Sequence, residues 1–178
     1  GLREIGILER LRSNYLPAKE RKGFLYFDLK QYDVALEFLS QYLKGQPSSY
    51  QAHLLRAQTY LKLEKISHAV AELKRLHDET PQSLEVINLL GEAFFQAGDF
   101  KEADRVLHAA LKLNSSSIKI LDKLGDVSLK LGRKNTAVEF YSKCLEIDAN
   151  QLKIGLKLGK LYFEMGEYKK GKKPGDYQ

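Results

Sequence analysis

The sequence predicts an all-α protein built from a repeated helix–turn–helix unit, and three observations predict it. Turn signals recur at a fixed step: Pro47 and Pro81 are 34 residues apart, and Ser115 lies 34 further on. Small residues recur at the same step, as Ala35, Ala69, Ala103 and Ala137, and as Gly23, Ala57, Gly91, Gly125 and Gly159. Between the turns, apolar residues fall three, four and seven apart, as one buried helix face requires. No insertion or deletion disturbs the count. A fixed period of this length is the mark of a repeat architecture.

The elements follow in order. In residues 1–15, Ile5, Leu8 and Leu11 share one helix face and read as the second helix of an earlier partial repeat, or as an N-terminal cap. Four full periods span 16–49, 50–83, 84–117 and 118–151. Within 84–117, Leu89, Leu90, Phe94 and Ala97 form one apolar helix face, Gly98-Asp99 breaks it, and Phe100, Ala103, Val106, Leu107, Ala110 and Leu113 form a second. Residues 152–178 hold a first helix, Leu152–Met165, and then a basic tail. Gly171 stands where the period places alanine, and Lys172-Lys173-Pro174-Gly175 stops a second helix. About ten helices are expected. Leu161, Tyr162 and Met165 are expected to be exposed, and with Leu2, Ile5 and Leu8 they would allow head-to-tail self-association.

Composition excludes several classes. Apolar residues make up 43% and charged residues 29%, which suits a folded, well-solvated chain. No apolar run approaches the roughly 20 residues of a membrane span, so no membrane insertion is expected. Cys144 is the only cysteine, so an internal disulfide and a cysteine-based zinc site are excluded; a cytoplasmic setting is favoured. Net charge is +6 with a pI near 9.2, yet residues 152–178 alone hold 7 basic and 3 acidic groups. A nucleic-acid binder spreads its charge along one face instead.

These residues together resemble the tetratricopeptide repeat family. Its pattern has a small residue at position 8, an aromatic at 11, glycine near 15, an aromatic at 17, alanine at 20, a large apolar residue at 24, a small one at 27 and proline at 32. Gly91, Phe94, Gly98, Phe100, Ala103, Leu107 and Ala110 match it in 84–117. Gly23, Tyr26, Tyr32, Ala35 and Pro47 match in 16–49, and Ala57, Tyr60, Ala69, Leu73 and Pro81 in 50–83. Gly125, Gly132, Ala137, Tyr141 and Cys144 match in 118–151. The tryptophan common at position 4 is missing, and His53 holds that place in the second repeat. The resemblance implies a right-handed superhelical solenoid whose first helices line a concave groove.

In the family, positions 2, 5, 9, 12 and 13 face that groove. Position 12 is an apolar row here: Phe27, Leu61, Phe95, Leu129 and Phe163. Phe24, Leu54 and Leu156 extend it, and Gln58, Asn88 and Glu92 are its polar members in the middle of the chain. Lys119, Lys123, Lys153, Lys157 and Lys160 gather late. They are expected to hold an acidic partner segment, unless Asp122 and Asp126 pair with them along the helix. The carboxylate clamp of chaperone-binding relatives is incomplete, since Glu92 has the wrong sign for it. Asn88 stands alone, so the asparagine ladder of sugar-transferase relatives is missing.

Catalysis finds no foothold. His53, His68, His77 and His108 show no ligand spacing, there is no phosphate-binding glycine loop, and Cys144 occupies a small-residue packing position. Neither cofactor nor metal is expected. The expected function is a protein–protein interaction scaffold that takes a peptide or protein segment in its groove, as part of a longer chain. The alternatives are an RNA-binding helical repeat, or a regulatory arm of an enzyme whose catalytic domain lies elsewhere.

Overall fold

The computed structural model describes residues 16–166. The helix expected over Leu2–Leu11 and the basic tail after Gly166 lie outside the described residues. Nine helices and no strand occur among the residues described. They are α1 (Leu16–Asp28), α2 (Tyr32–Gly45), α3 (Tyr50–Lys62), α4 (Ile66–Glu79), α5 (Leu84–Ala97), α6 (Phe100–Leu113), α7 (Ile118–Lys130), α8 (Lys134–Ile147) and α9 (Leu152–Glu164). The expected break at Gly98 is there. The chain divides into two compact units within α5, residues 1–93 and 94–178.

Local chemistry explains where helices start and stop. Ser49 Oγ accepts the Ala52 N–H, Ser83 Oγ the Val86 N–H and Asp99 Oδ1 the Glu102 N–H, each relieving one orphan donor of a first turn. The first helix of each period ends on a residue of positive φ: Lys30, Glu64, Gly98, Gly132 and Gly166. At Lys30 the N–H donates to Phe27 O and the next N–H, of Gln31, to Tyr26 O, both at 2.9 Å. The same pair of bonds recurs at Glu64, Gly98 and Gly132, which is the Schellman closure of a helix end. Three of these residues are glycine, for which φ near +75° costs nothing; Lys30 (φ 58°) and Glu64 (φ 55°) adopt the same region with a side chain.

In the N-terminal unit, α1 packs on α2, α2 on α3 and α3 on α4. Leu39, Leu43 and Ala52 are buried there, with Phe24, Tyr42 and Leu55 packed against them. Gly23 lets α2 come close: a Cβ on it would lie 2.8 Å from Leu39 Cδ2. His53 fills the place of the absent tryptophan and is buried. Its Nε2 donates to Pro47 O at 2.8 Å and its Nδ1 pairs with the Glu72 carboxylate, which Arg56 also grips at 2.8 and 3.0 Å. That cluster ties α3 to α4.

In the C-terminal unit, α6 packs on α7, α7 on α8 and α8 on α9. Its core joins Leu121, Ala137, Tyr141, Cys144, Ile154, Leu158 and Leu161. Leu161 is only 2% exposed, and Tyr162 and Met165 pack against that core. The expectation that these three stand open is therefore corrected: they form the side of α9 that seals the preceding helix pair.

Candidate binding groove

Two adjoining cavities open on the N-terminal unit. Phe24, Gln51, Leu54, Leu55, Gln58 and Glu85 line one of ≈ 320 Å³. Glu20, Arg21, Phe24 and Gln51 line one of ≈ 370 Å³. They share Phe24 and Gln51, so they form one trough along the first helices α1, α3 and α5. Its floor is apolar. Its rim carries two amides, two carboxylates and the guanidinium of Arg21, and Gln58 Nε2 donates to Glu85 Oε1 at 3.4 Å. Asn88 is half-buried, and its Oδ1 has no hydrogen-bond partner among the described residues. An apolar floor with a few convergent polar groups is what a segment-binding site needs.

The other expected groove residues fall less uniformly. Phe27 is half-buried and edge-on to Tyr32 at 5.5 Å, and Phe95 edge-on to Phe100 at 5.4 Å. Leu61 is 6% exposed, buried much as Leu54 is, but it lines neither cavity. Leu129 and Phe163 are exposed. Glu92 is half-buried.

The lysines were expected to act as a group unless Asp122 and Asp126 pair with them, and Lys157 is paired in that way. Lys157 Nζ donates to Asp122 Oδ1 at 2.7 Å and to both oxygens of Asp126 at 2.8 Å. An ammonium has three N–H donors, so its capacity is spent inside the protein. The pairing crosses from α9 to α7 and does not run along one helix. Burial disfavours the ammonium, but the bonds and charges of Asp122 and Asp126 outweigh this and hold its pKa above the ordinary 10.5. Lys119 and Lys153 are exposed, Lys123 is half-buried, and Lys160 lies 3.9 Å from Glu164.

Tyr141 completes this knot. Its hydroxyl donates to Asp126 Oδ1 at 2.6 Å. Burial first, then that bond, pushes the phenol pKa well above its usual 10.0. Cys144 is fully buried beside it, its thiol reaching Ile118 O at 3.7 Å, and burial pushes its pKa up to about 11. Such a thiol is a packing group. Among the described residues, no three His, Cys, Asp or Glu side chains are placed to hold a metal ion, and no helix is long and apolar enough to cross a membrane.

The sequence reading missed Arg21, Gln51 and Leu55. Gln51 stands at a groove position of the family pattern, so the register was enough to find it. Arg21 and Leu55 stand at position 6, outside the family's groove set, and only the cavities show them.

Comparison with known proteins agrees with this architecture. Models of the tetratricopeptide repeat match residues 26–92, 84–117 and 118–151. A crystal structure of MamA protein superposes with a TM-score of 0.76 at 24% identity, over 86% of this chain and 84% of that one. TTC0263, a thermophilic TPR protein of Thermus thermophilus, gives 0.69 at 26% identity, over 86% and 84%. MamA residues 41 to the end from Desulfovibrio magneticus RS-1 gives 0.81 at 14% identity, over 88% of each chain. No curated protein sequence matches. Repeats of this kind typically form a non-catalytic scaffold for protein–protein interaction, and the chain, with its repeated helix pairs and matching register, belongs to the tetratricopeptide repeat family.

Proposed function

We propose that the chain binds a peptide or protein segment in the trough of its N-terminal unit. The observation that carries this is the cavity over Phe24, Leu54 and Leu55, rimmed by Gln51, Gln58 and Glu85. The reading takes the repeats as 16–49, 50–83, 84–117 and 118–151, so the floor comes from adjoining repeats. An apolar side chain of the ligand rests on Phe24 and Leu54. The amides of Gln51 and Gln58 meet its backbone, and Glu20 and Glu85 favour a basic residue beside the anchor. The acidic segment expected from the lysine group has a weaker basis here, because Lys157 is already engaged.

A random peptide library panned on the chain tests this. Enriched peptides should carry an apolar anchor with a basic neighbour. Their affinity should fall about tenfold or more on the Phe24→Asp/Leu55→Lys double variant, with its fold checked by circular dichroism. Peptides that bind the variant as well as the parent would remove the trough from consideration.

A further inference from the structure

The turns that join one period to the next differ at a single register position. Position 32 is proline in the first two, Pro47 and Pro81, but Ser115 in the third and Ala149 in the fourth. Proline has no backbone N–H, whereas serine and alanine do. The residue before it keeps one extended backbone throughout: φ is −135° at Gln46, −137° at Thr80, −144° at Asn114 and −147° at Asp148.

In the third turn the change puts a nucleophile beside an electrophile. Asn114, Ser115 and Ser116 are all exposed, and Asn114 Oδ1 accepts the Ser116 N–H at 3.3 Å. That bond folds the side chain forward over the peptide that follows it. It brings Cγ toward Ser115 N and polarises the carbonyl that would be attacked. Among the described residues no backbone acceptor takes the Ser115 N–H.

The fourth turn has the same shape without the reactivity. Asp148 Oδ1 accepts the Asn150 N–H at 2.9 Å, and Oδ2 the Gln151 amide at 2.6 Å. The Gln151 amide, then the Asn150 N–H, hold its carboxyl pKa below the ordinary 3.8, and a nucleophile does not attack the resulting anion. The remaining asparagines are worse placed. Asn88 and Asn135 lie within α5 and α8, whose helical torsions keep the side chain from closing a ring on the next nitrogen. Asn14 and Asn150 precede the bulkier Tyr15 and Gln151.

We propose that Asn114 is a site of self-modification by deamidation, with the Ser115 amide as nucleophile and water as co-reactant, and that its conversion loosens the junction between α6 and α7 with time. Solvent base takes the Ser115 proton, the bond from N to Cγ forms, and negative charge gathers on Oδ1. The intermediate collapses, the C–N bond of the side-chain amide breaks, and ammonia leaves with a proton from water. Water then opens the cyclic imide at either carbonyl, giving aspartate or isoaspartate. Both products put a carboxylate at the negative end of α6, where an anion is unfavourable. Isoaspartate also lengthens the main chain by one carbon, and so disturbs the 3.4 Å bond from Ser117 N–H to Asn114 O that closes the turn.

The chain is incubated at neutral and at mildly alkaline pH, then digested and mapped by mass spectrometry over time. The Asn114 peptide should gain the mass that separates O from NH before the other asparagine peptides do, in two forms of equal mass, and faster at the higher pH. Ser115→Pro should abolish the gain. The torsions at Asn114 accept a following proline, as those at Gln46 and Thr80 do, so this variant should keep its fold. Ser115→Val keeps the N–H but crowds it, and should slow the gain. In urea the helical asparagines lose their protection, and the lead of Asn114 should shrink. In aged protein, amides 117–121 should exchange with deuterium faster than in fresh protein. The proposal is overturned if another asparagine converts first in the folded chain, or if Ser115→Pro converts as fast as the parent. It is also overturned if aspartate is the sole product, or if exchange at 117–121 is unchanged by conversion.

Discussion

The same slot between neighbouring first helices occurs in both units and is filled in opposite ways. Three periods separate Phe24, Leu39 and Leu55 from Asp126, Tyr141 and Lys157. In the N-terminal unit the three are apolar, Phe24 and Leu55 lean on the Leu39 cluster, and a cavity stays open above them. In the C-terminal unit the corresponding three are bonded to one another: tyrosine to aspartate, aspartate to lysine. A groove of repeats therefore need not be equally receptive along its length. An apolar slot has no internal partner for a ligand to displace, whereas an ion-paired slot has already used its donors.

Variants that exchange or break the two fillings test this contrast. The largest effect is expected for Gly125→Ala. The added Cβ would run into the Tyr141 ring, and the ring is held by its bond to Asp126, so it cannot swing away. Chemical denaturation should show a loss of about 1–3 kcal/mol. Gly23→Ala should cost clearly less, because Leu39 has no such tether. Equal costs would mean that the tether does not matter.

Lys157→Leu should come next, at about 2 kcal/mol, kept modest because the lysine is a third exposed. It leaves Asp122 and Asp126 facing a methyl group. Adding Asp126→Phe, which copies the N-terminal filling, should recover at least half of the loss. If the double variant is no better than the single one, the two slots are not equivalent. Tyr141→Phe removes one hydroxyl and should cost about 1 kcal/mol, with no change in secondary structure.

The smallest effect at neutral pH is the one that titrates. Cys144, Tyr141 and Lys157 all have pKa values raised by folding, so their contributions are complete below the unfolded values and vanish as pH rises through the folded ones. For Cys144 that window runs from 9.0 to about 11. Denaturation midpoints measured on a series of buffers should hold steady up to about pH 9 and then fall. A rise over that range would contradict the assignment.

Much of this was legible in the sequence, for a reason the residues make plain. Gly23, Ala35, Gly125 and Ala137 announce the helix crossings because close approach permits only small side chains there. Register and the family resemblance together put Phe24, Leu54 and Gln58 among the groove positions, and all three line one cavity. The bond from Lys157 to Asp126 was not legible, since sequence shows neighbours one turn apart on a helix but not which rows of successive repeats meet. Leu161 was misassigned for the same reason. It lies on one apolar stripe of α9 and Leu156 on another, and only the packing shows which stripe faces the preceding pair.

The turn residues carry one more consequence, and it concerns when parts of the molecule open. Lys30 and Glu64 hold a left-handed backbone that their side chains disfavour by about 1 kcal/mol or more each. Gly98, Gly132 and Gly166 hold it without that cost. Both strained turns lie in the unit with the open trough. Its hairpins should therefore fray first in native-state hydrogen exchange, with the C-terminal hairpins lagging. A ligand that clamps α1 to α3 would slow that early exchange, so the amides beside Gln31 and Lys65 would serve as a clock for occupancy of the groove.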